Sequence, residues 1–305
     1  MTGDGLPGHV PADQDRLAAV FSQARARLVR IAYAILGTRT EAEDVVADCW
    51  FRLVAADEHQ PVRDVESWAV VAVSRMALDV LRSARVRRER YVGPWLPEPV
   101  LTGPPGAGGA LDPADKVTLD DEVSYALLVV LEALSPPERT AFVLHDLFGL
   151  AFGEIATIVG RSPASVRQLA SRARRRVREH APPQSADPAG HRQVVAAFEA
   201  AAASGDLAAL IRMLDPDVVL VSDGGGVVTS ARKPVTGADR VARFVLAVIA
   251  KAQDEGRLER VDVNGAPGFA VYYRDELAGI VSVTVAGERV ARVDIVRAPG
   301  KLPRG

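Results

Sequence analysis

Phe152-Gly-Glu-Ile-Ala-Thr-Ile-Val-Gly-Arg-Ser-Pro-Ala-Ser-Val-Arg-Gln-Leu-Ala-Ser-Arg-Ala-Arg-Arg-Arg-Val-Arg178 reads as two short helices around a turn. Phe152, Ile155, Ala156 and Val159 fall at i, i+3, i+4 and i+7, one apolar stripe on a helix that Gly160 ends. Gly160 and Arg161 make the turn. Ser162 then offers a hydroxyl to the free N–H groups of the second helix, and Pro163 takes the first helical position, where a missing N–H costs nothing. The inward face of that helix is Val166, Leu169, Ala170, Ala173 and Val177, so Gln168, Ser171, Arg172 and Arg175 point outward.

Between Arg161 and His180 seven arginines (161, 167, 172, 174, 175, 176 and 178) stand against one acid, Glu179. A solvated helix face mixes signs; this one calls for an anionic partner. In helix-turn-helix docking the start of the second helix reads base edges while flanking cations hold phosphates. Ser165, Gln168, Ser171 and Arg172 are therefore the candidate base readers, with Arg161, Arg167 and Arg175 also facing DNA. Arg174, Arg176 and Arg178 are the phosphate candidates.

Working outward, 305 residues suffice for two or three domains with separate cores. The net charge of −2 hides local imbalance. The one cysteine, Cys49, sits on an apolar helix stripe, which rules out an intramolecular disulfide and suits a reducing, cytoplasmic setting. No apolar run approaches the roughly 18 residues of a membrane span, and the acidic N-terminus lacks a signal-peptide pattern, so a soluble chain without membrane contact is expected.

Residues 1–11 are expected to be unstructured. Leu17, Ala24 and Ile31, and in parallel Phe21, Leu28 and Ile35, repeat every seven residues along a helix from Asp13 to Leu36 that wants a partner throughout its length. Gly37 stops it. Thr40 with Glu43 reads as a capping box for a second helix with the stripe Ala42, Val45, Val46, Cys49 and Leu53. Its outer face, with Glu41, Glu43, Asp44, Asp48 and Arg52, is largely acidic and suits a protein partner better than phosphate. After a polar loop, Asp57 to Glu66, a third helix from about Ser67 to Arg88 carries Trp68, Val71, Ala72, Leu78 and Leu81. Arg82, Arg85, Arg87, Arg88 and Arg90 at its end exceed what the helix dipole asks for and form a second nucleic-acid surface.

Tyr91 to about Pro113 holds six prolines and five glycines, a linker without a regular element, whose first half (Tyr91-Val-Gly-Pro-Trp-Leu-Pro-Glu-Pro99) is stiff enough to pack on something. Helix resumes through Val123, Leu127, Val130, Leu131 and Leu134, and Ser135-Pro-Pro-Glu138 caps the helix leading into the helix-turn-helix. His145 among apolar residues is a structural histidine. Beyond a linker from Pro182 to Gly190, two short helices (191–203 and 207–214) precede alternating segments at 218–222, 258–263, 269–273, 277–285 and 290–296, with a helix at 238–251. The fold expected is multidomain: two all-α modules, the second a helix-turn-helix, then an α+β cone with a curled antiparallel sheet.

Two helical modules with basic ends, closed by a helix-turn-helix, resemble the bacterial sigma factors of the extracytoplasmic-function (ECF) group. Glu43-Asp44-Val-Val-Ala-Asp48 resembles the segment those proteins place on the β′ clamp helices of RNA polymerase. Ser67-Trp68 with Asp79 and Arg82 resembles the promoter-melting, −10-reading helix, and Phe152-Gly-Glu-Ile-Ala156 through the arginine cluster resembles the −35 reader. The resemblance spans residues 12–180. It implies Trp68, Arg75, Arg82, Arg85, Arg87 and Arg88 at the −10 element, polymerase core (β′ clamp helices and β flap) and promoter DNA as partners, and no cofactor, metal or catalysis. Arg75 stands where many ECF relatives have an amide.

The linker, with Trp95 at its centre, is similar to that of the SigJ-type ECF subgroup, whose fused SnoaL-like domain replaces a separate anti-sigma protein. Asp223-Gly224-Gly225-Gly226 matches that subgroup's Asp-Gly-Gly-Gly-Lys motif, with Val227 where lysine is expected, and Pro299-Gly-Lys301-Leu302 matches its closing motif in part. The domains implied are 12–90 (sigma region 2), 91–114 (linker), 115–181 (region 4) and 191–305 (SnoaL-like regulatory domain), in a chain that is a monomer when free. The competing reading is a helix-turn-helix regulator whose cone binds a small molecule or catalyses, with Asp223 as base and Tyr272, Tyr273 or Arg274 orienting.

Overall fold

The heptad stripes of the first helix meet a partner along their full length: Leu17, Phe21, Ala24, Leu28, Ile31 and Ile35 are all buried. The structure is a computed structural model and describes residues 11–88, 91, 93–102, 123–180, 188–252 and 255–303, with the side chains of 14–85 in the first of these. The expectations for residues 1–10 and for Gly103–Gly109 fall outside them. The chain divides into two compact units, Met1–Arg82 with Pro136–Ala170, and Ser83–Ser135 with Ser171–Gly305.

The first unit is helical. α1 (Pro11–Leu36) ends where Gly37 takes φ 76° and returns its N–H to the Tyr33 carbonyl. α2 (Arg39–His59) packs on α1 through Ala42, Val45, Val46, Cys49 and Leu53. Its cap lies two residues before the expected Thr40: Thr38 is extended and its hydroxyl donates to Glu41, while Thr40 is already helical. α3 (Val65–Arg88) also starts earlier than expected, because Asp64 accepts the Ser67 N–H at 3.0 Å. Its buried face is Val65, Ala69, Val73, Met76, Ala77 and Leu81. Of the apolar positions expected along this helix, Leu78 and Leu81 are buried, whereas Trp68, Val71 and Ala72 are half-buried.

α5 (Pro136–Phe142), a π-helical turn (Val143–Leu147), α6 (Phe152–Val159) and the start of α7 (Pro163–His180) complete this unit. Arg139 on α5 is 1 % exposed, and its Nε donates to the Ala34 carbonyl in the last turn of α1 at 3.1 Å. A guanidinium there serves a carbonyl the helix leaves unpaired and meets the negative end of its dipole.

The second unit is a seven-stranded sheet in the order β1-β4-β5-β6-β7-β2-β3, with helices against one face. The strands are β1 (Leu101–Thr102), β2 (Leu214–Asp223), β3 (Val235–Thr236), β4 (Gly256–Val263), β5 (Ala266–Tyr273), β6 (Glu276–Ala286) and β7 (Arg289–Val296). α8 (Pro188–Ser204), α9 (Leu207–Met213) and α10 (Ala238–Ala252) supply Val195, Phe198, Leu210 and Val241 to a core with Leu220, Phe269, Val283 and Val293. The sheet is mixed and open rather than antiparallel throughout. β4 to β7 form a meander, but β7 lies parallel to β2, a direction that the alternation within β2 does not encode.

The other face of the sheet is covered from outside the cone. Leu96, Leu101 and Tyr125, the last on α4 (Tyr125–Leu131), pack with Val221, Val261, Val263, Ala270, Ile280 and Val296. The proline-rich stretch therefore does hold a regular element: Leu101 and Thr102 pair antiparallel with Val263 and Asp262, and Val100 N–H donates to the Asn264 amide oxygen. An edge strand needs few free N–H groups, so prolines on its approach are tolerated.

Candidate functional site

The turn between α6 and α7 is built as its residues dictate. Gly160 sits left-handed at φ 70°, a cost only glycine avoids, and the Ser162 hydroxyl accepts the Ser165 N–H at 3.2 Å. Glu154 reaches back to the Ala151 N–H at 2.8 Å and fixes the start of α6. Val166, Leu169, Ala170 and Ala173 are buried, which turns Arg161, Arg167, Gln168, Ser171, Arg172 and Arg175 to solvent, with Ser165 half-buried beside them. Arg167 lies 5.6 Å over the Phe152 ring, and His145 stacks on that ring at 3.9 Å while its Nδ1 bonds the Leu150 carbonyl at 2.9 Å. His145 thus serves the packing of the turn. Arg175 faces Glu179 at 3.8 Å, an exposed pair worth little. Arg178 bonds the Arg174 carbonyl, and Arg174 and Arg176 are half-buried rather than free for phosphate along their whole length.

On α3, Trp68, Ala72, Arg75, Asp79 and Arg82 recur at three- and four-residue intervals and share one face. Asp79 holds Arg82 at 3.1 Å; Arg85 is exposed nearer the end. The side chains of Arg87 and Arg88 lie outside the described residues. Arg75 is engaged: its Nη2 donates to the Thr157 carbonyl on α6 at 2.8 Å. On α2, Asp44 and Asp48 are exposed, whereas Glu43 is held by Arg39 at 2.8 Å and half-buried.

A third constellation forms at the end of β2. Asp223 is fully buried; one carboxylate oxygen accepts from Lys301 Nζ at 2.6 Å and from the Leu96 N–H at 2.9 Å, the other from the Tyr91 hydroxyl and the Gly225 N–H. Lys301, on the turn Pro299–Lys301, also donates to the Leu96 carbonyl at 2.6 Å and stands 3.9 Å from the Trp95 ring centre. Burial alone would raise the Asp223 carboxyl, but the Lys301 charge and the bonds from Lys301, Tyr91 and Leu96 outweigh it and hold the group below its ordinary range. Burial, then the bond to Asp223, pushes the Tyr91 hydroxyl up.

Gly224 and Gly225 allow close approach here. A Cβ on Gly224 would lie 2.2 Å from the Val228 carbonyl, and one on Gly225 3.1 Å from Ala298. Gly226 adopts φ 70°. Val227, at the position where lysine was expected, is 78 % exposed, and the cation beside Asp223 is Lys301. Tyr91 and Leu96 lie in the stretch expected to pack on something, but neither was named a site residue; their partner, 132 and 127 positions away, gives them that role.

The catalytic alternative loses its geometry. Tyr272 is on β5, three strands from β2 and so roughly 14 Å off at ordinary strand spacing. Arg257 lies over its ring at 4.1 Å, and Arg274 is bonded to Glu255. Asp223 is sealed under the linker. Among the described residues no group of three or more metal-ligating side chains occurs, and no helix is long and apolar enough to cross a membrane.

Comparison with known proteins places the two helical regions and the whole fold in a known family. Residues 20–87 match the family model for sigma-70 region 2, and residues 124–177 that for sigma-70 region 4. The chain is 43 % identical over 230 residues to the ECF RNA polymerase sigma factor SigJ of Mycobacterium tuberculosis, covering 75 % of this chain and 72 % of that protein. It is 37 % identical over 304 residues to the probable ECF RNA polymerase sigma factor SigI of the same organism, covering 95 % and 96 %. The crystal structure of M. tuberculosis SigJ superposes with a TM-score of 0.75 at 35 % identity, over 93 % of this chain and 97 % of that one.

Proposed function

Because this chain belongs to the extracytoplasmic-function RNA polymerase sigma factors, which direct promoter recognition and transcription initiation, we propose a division of labour among its surfaces. Residues 12–90 act as region 2, 91–114 as linker, 115–181 as region 4 and 191–305 as a SnoaL-like regulatory domain. Asp44 and Asp48 on α2 meet the β′ clamp helices of the polymerase core, and region 4 meets the β flap. Trp68, Arg75, Arg82 and Arg85, with Arg87 and Arg88, open and hold the −10 element. A base leaves the stack at a cost of a few kcal/mol, and the exposed face of α3 offsets it by stacking and charge. Arg161, Ser165, Arg167, Gln168, Ser171, Arg172 and Arg175 read and grip the −35 element.

The observation that carries this reading is α7, which buries four apolar side chains while turning Gln168, Ser171 and Arg172 outward from a capped helix-turn-helix, with Arg161 exposed on the turn before it. The C-terminal domain, fused in place of a separate anti-sigma protein, modulates output through its hold on the linker at Trp95, Leu96, Asp223 and Lys301. The chain works as a cytoplasmic monomer until it meets polymerase.

The test is in vitro transcription of a genomic fragment pool by purified core polymerase with the full chain. Discrete start sites absent from core alone are expected, and Lys301→Ala should change their yield. Core that gains no start sites from the chain would sink the promoter assignments. An unchanged yield with Lys301→Ala would sink the modulation alone.

A further inference from the structure

The solvent face of α2 is not uniformly acidic. Asp44, Asp48, Phe51 and Ala55 are all exposed, and at 3.6 residues per turn they stand within an arc of about 60°. The opposite face is the buried row from Ala42 to Leu53. Trp50, next to Phe51, turns inward onto Phe21 with ring centres 5.3 Å apart. Phe51 turns out and is 70 % exposed. Among the described residues it is the one exposed large apolar side chain of the helical unit; Val227, Val248, Ile249, Leu258 and Tyr273 all belong to the other. Single apolar side chains on a surface are ordinary. Phe51 differs in sharing one face with two acids, Asp48 about one turn and Asp44 about two turns upstream, and exposed aromatic side chains beside charged ones are where binding energy concentrates.

We propose that Phe51 is the anchor of the polymerase seat on α2: its ring enters an apolar hollow flanked by cations on the core enzyme, and Asp44 and Asp48 pair with those cations at the rim. Glu43 takes no part, since Arg39 already holds it. The proposal rests on the reading of α2 as the polymerase-facing helix. It adds a division of roles, in which the acids set the encounter rate and its salt dependence and the aromatic ring sets the residence time.

The experiment measures association and dissociation of the full chain with purified core polymerase over a salt series. Phe51→Ala should bind about thirtyfold more weakly, about 2 kcal/mol, through faster dissociation and with an unchanged salt slope. Phe51→Leu should keep most of the affinity. Asp44→Asn with Asp48→Asn should lower the association rate and flatten the salt slope. Thermal unfolding of all variants should match the parent, because none of these side chains is buried. Phe51→Ala within threefold of the parent, alongside a weakened double-Asn variant, would overturn the anchor and leave the seat standing. Phe51→Leu no better than Phe51→Ala would also overturn it, since apolar burial would not be the cause. If none of the variants weakened binding, both the anchor and the α2 seat would be wrong.

Discussion

Arg75 on α3 donates from Nη2 to the carbonyl oxygen of Thr157 on α6, 2.8 Å away. One of these helices is assigned to the −10 element and the other to the −35 reader, and the two elements are roughly 70 Å apart on the duplex at 3.4 Å per base pair. On that proposed assignment the bond breaks when both elements are engaged. Arg75→Ala should therefore weaken opening of the −10 segment, read by 2-aminopurine placed there, while binding to an isolated −35 duplex stays within twofold. An opening signal equal to that of the parent would remove Arg75 from the melting surface.

Arg172 is exposed on the outward face of α7 beside Ser171. Arg172→Ala should cost about 1–3 kcal/mol in −35 binding and relax preference at one position. If it only lowers the salt slope by about one without changing preference, Arg172 holds phosphate and does not read bases.

The Asp223 carboxyl is depressed in the folded chain by Lys301 and its hydrogen-bond donors. For an acid with a lowered folded value, the stability it contributes is present above its unfolded value, about 3.9, and is lost as pH falls through the folded one. Urea unfolding should accordingly show this contribution level from pH 8 to about 5 and declining below about 4. Lys301→Ala leaves a buried carboxylate without its cation and should cost about 3 kcal/mol at neutral pH. Asp223→Asn should remove the acid-dependent loss.

Burial pushes the Cys49 thiol up to about 11, with Arg52 acting weakly in the opposite sense. The thiolate is the reactive form. Labelling by a maleimide at pH 8 should be negligible in the native chain and complete in urea; rapid native labelling would mean that α2 opens from α1.

Gly224→Ala and Gly226→Ala test two different reasons for glycine. At 224 a methyl meets the Val228 carbonyl and the Ser230 side chain, and overpacking of this kind costs about 1–3 kcal/mol. At 226 nothing lies within 4 Å, so only the left-handed backbone opposes the change, at about 1–2 kcal/mol. A double-mutant cycle with Lys301→Ala should couple to 224 and not to 226, measured by urea unfolding.

What the sequence made legible was local. Gly160, Ser162 and Pro163 state their own conformations, so both helices of the turn appear at the expected residues. The heptads of α1 announced a buried helix, and the alternating segments announced strands whose N-terminal ends the structure extends by one to four residues. What stayed hidden depends on partners far along the chain. Thr102 pairs with Asp262, β2 lies parallel to β7, and Arg139 finds Ala34 across 105 positions; no spacing rule carries these. Arg75 was recognisable as a basic residue on the helix face of Trp68 and Arg82, but its engagement by Thr157 was not. Lys301 was legible as a motif residue, whereas its pairing with Asp223 across 78 positions required the fold.

The strap formed by Leu96, Leu101 and Tyr125 makes the sheet's outer face into an interior. A gene fragment starting near residue 188 would encode every long strand and still yield a protein with Val221, Val261, Val263, Ile280 and Val296 laid bare to water, a surface that clumps. The folding module is longer than its strands and takes in the upstream proline-rich segment.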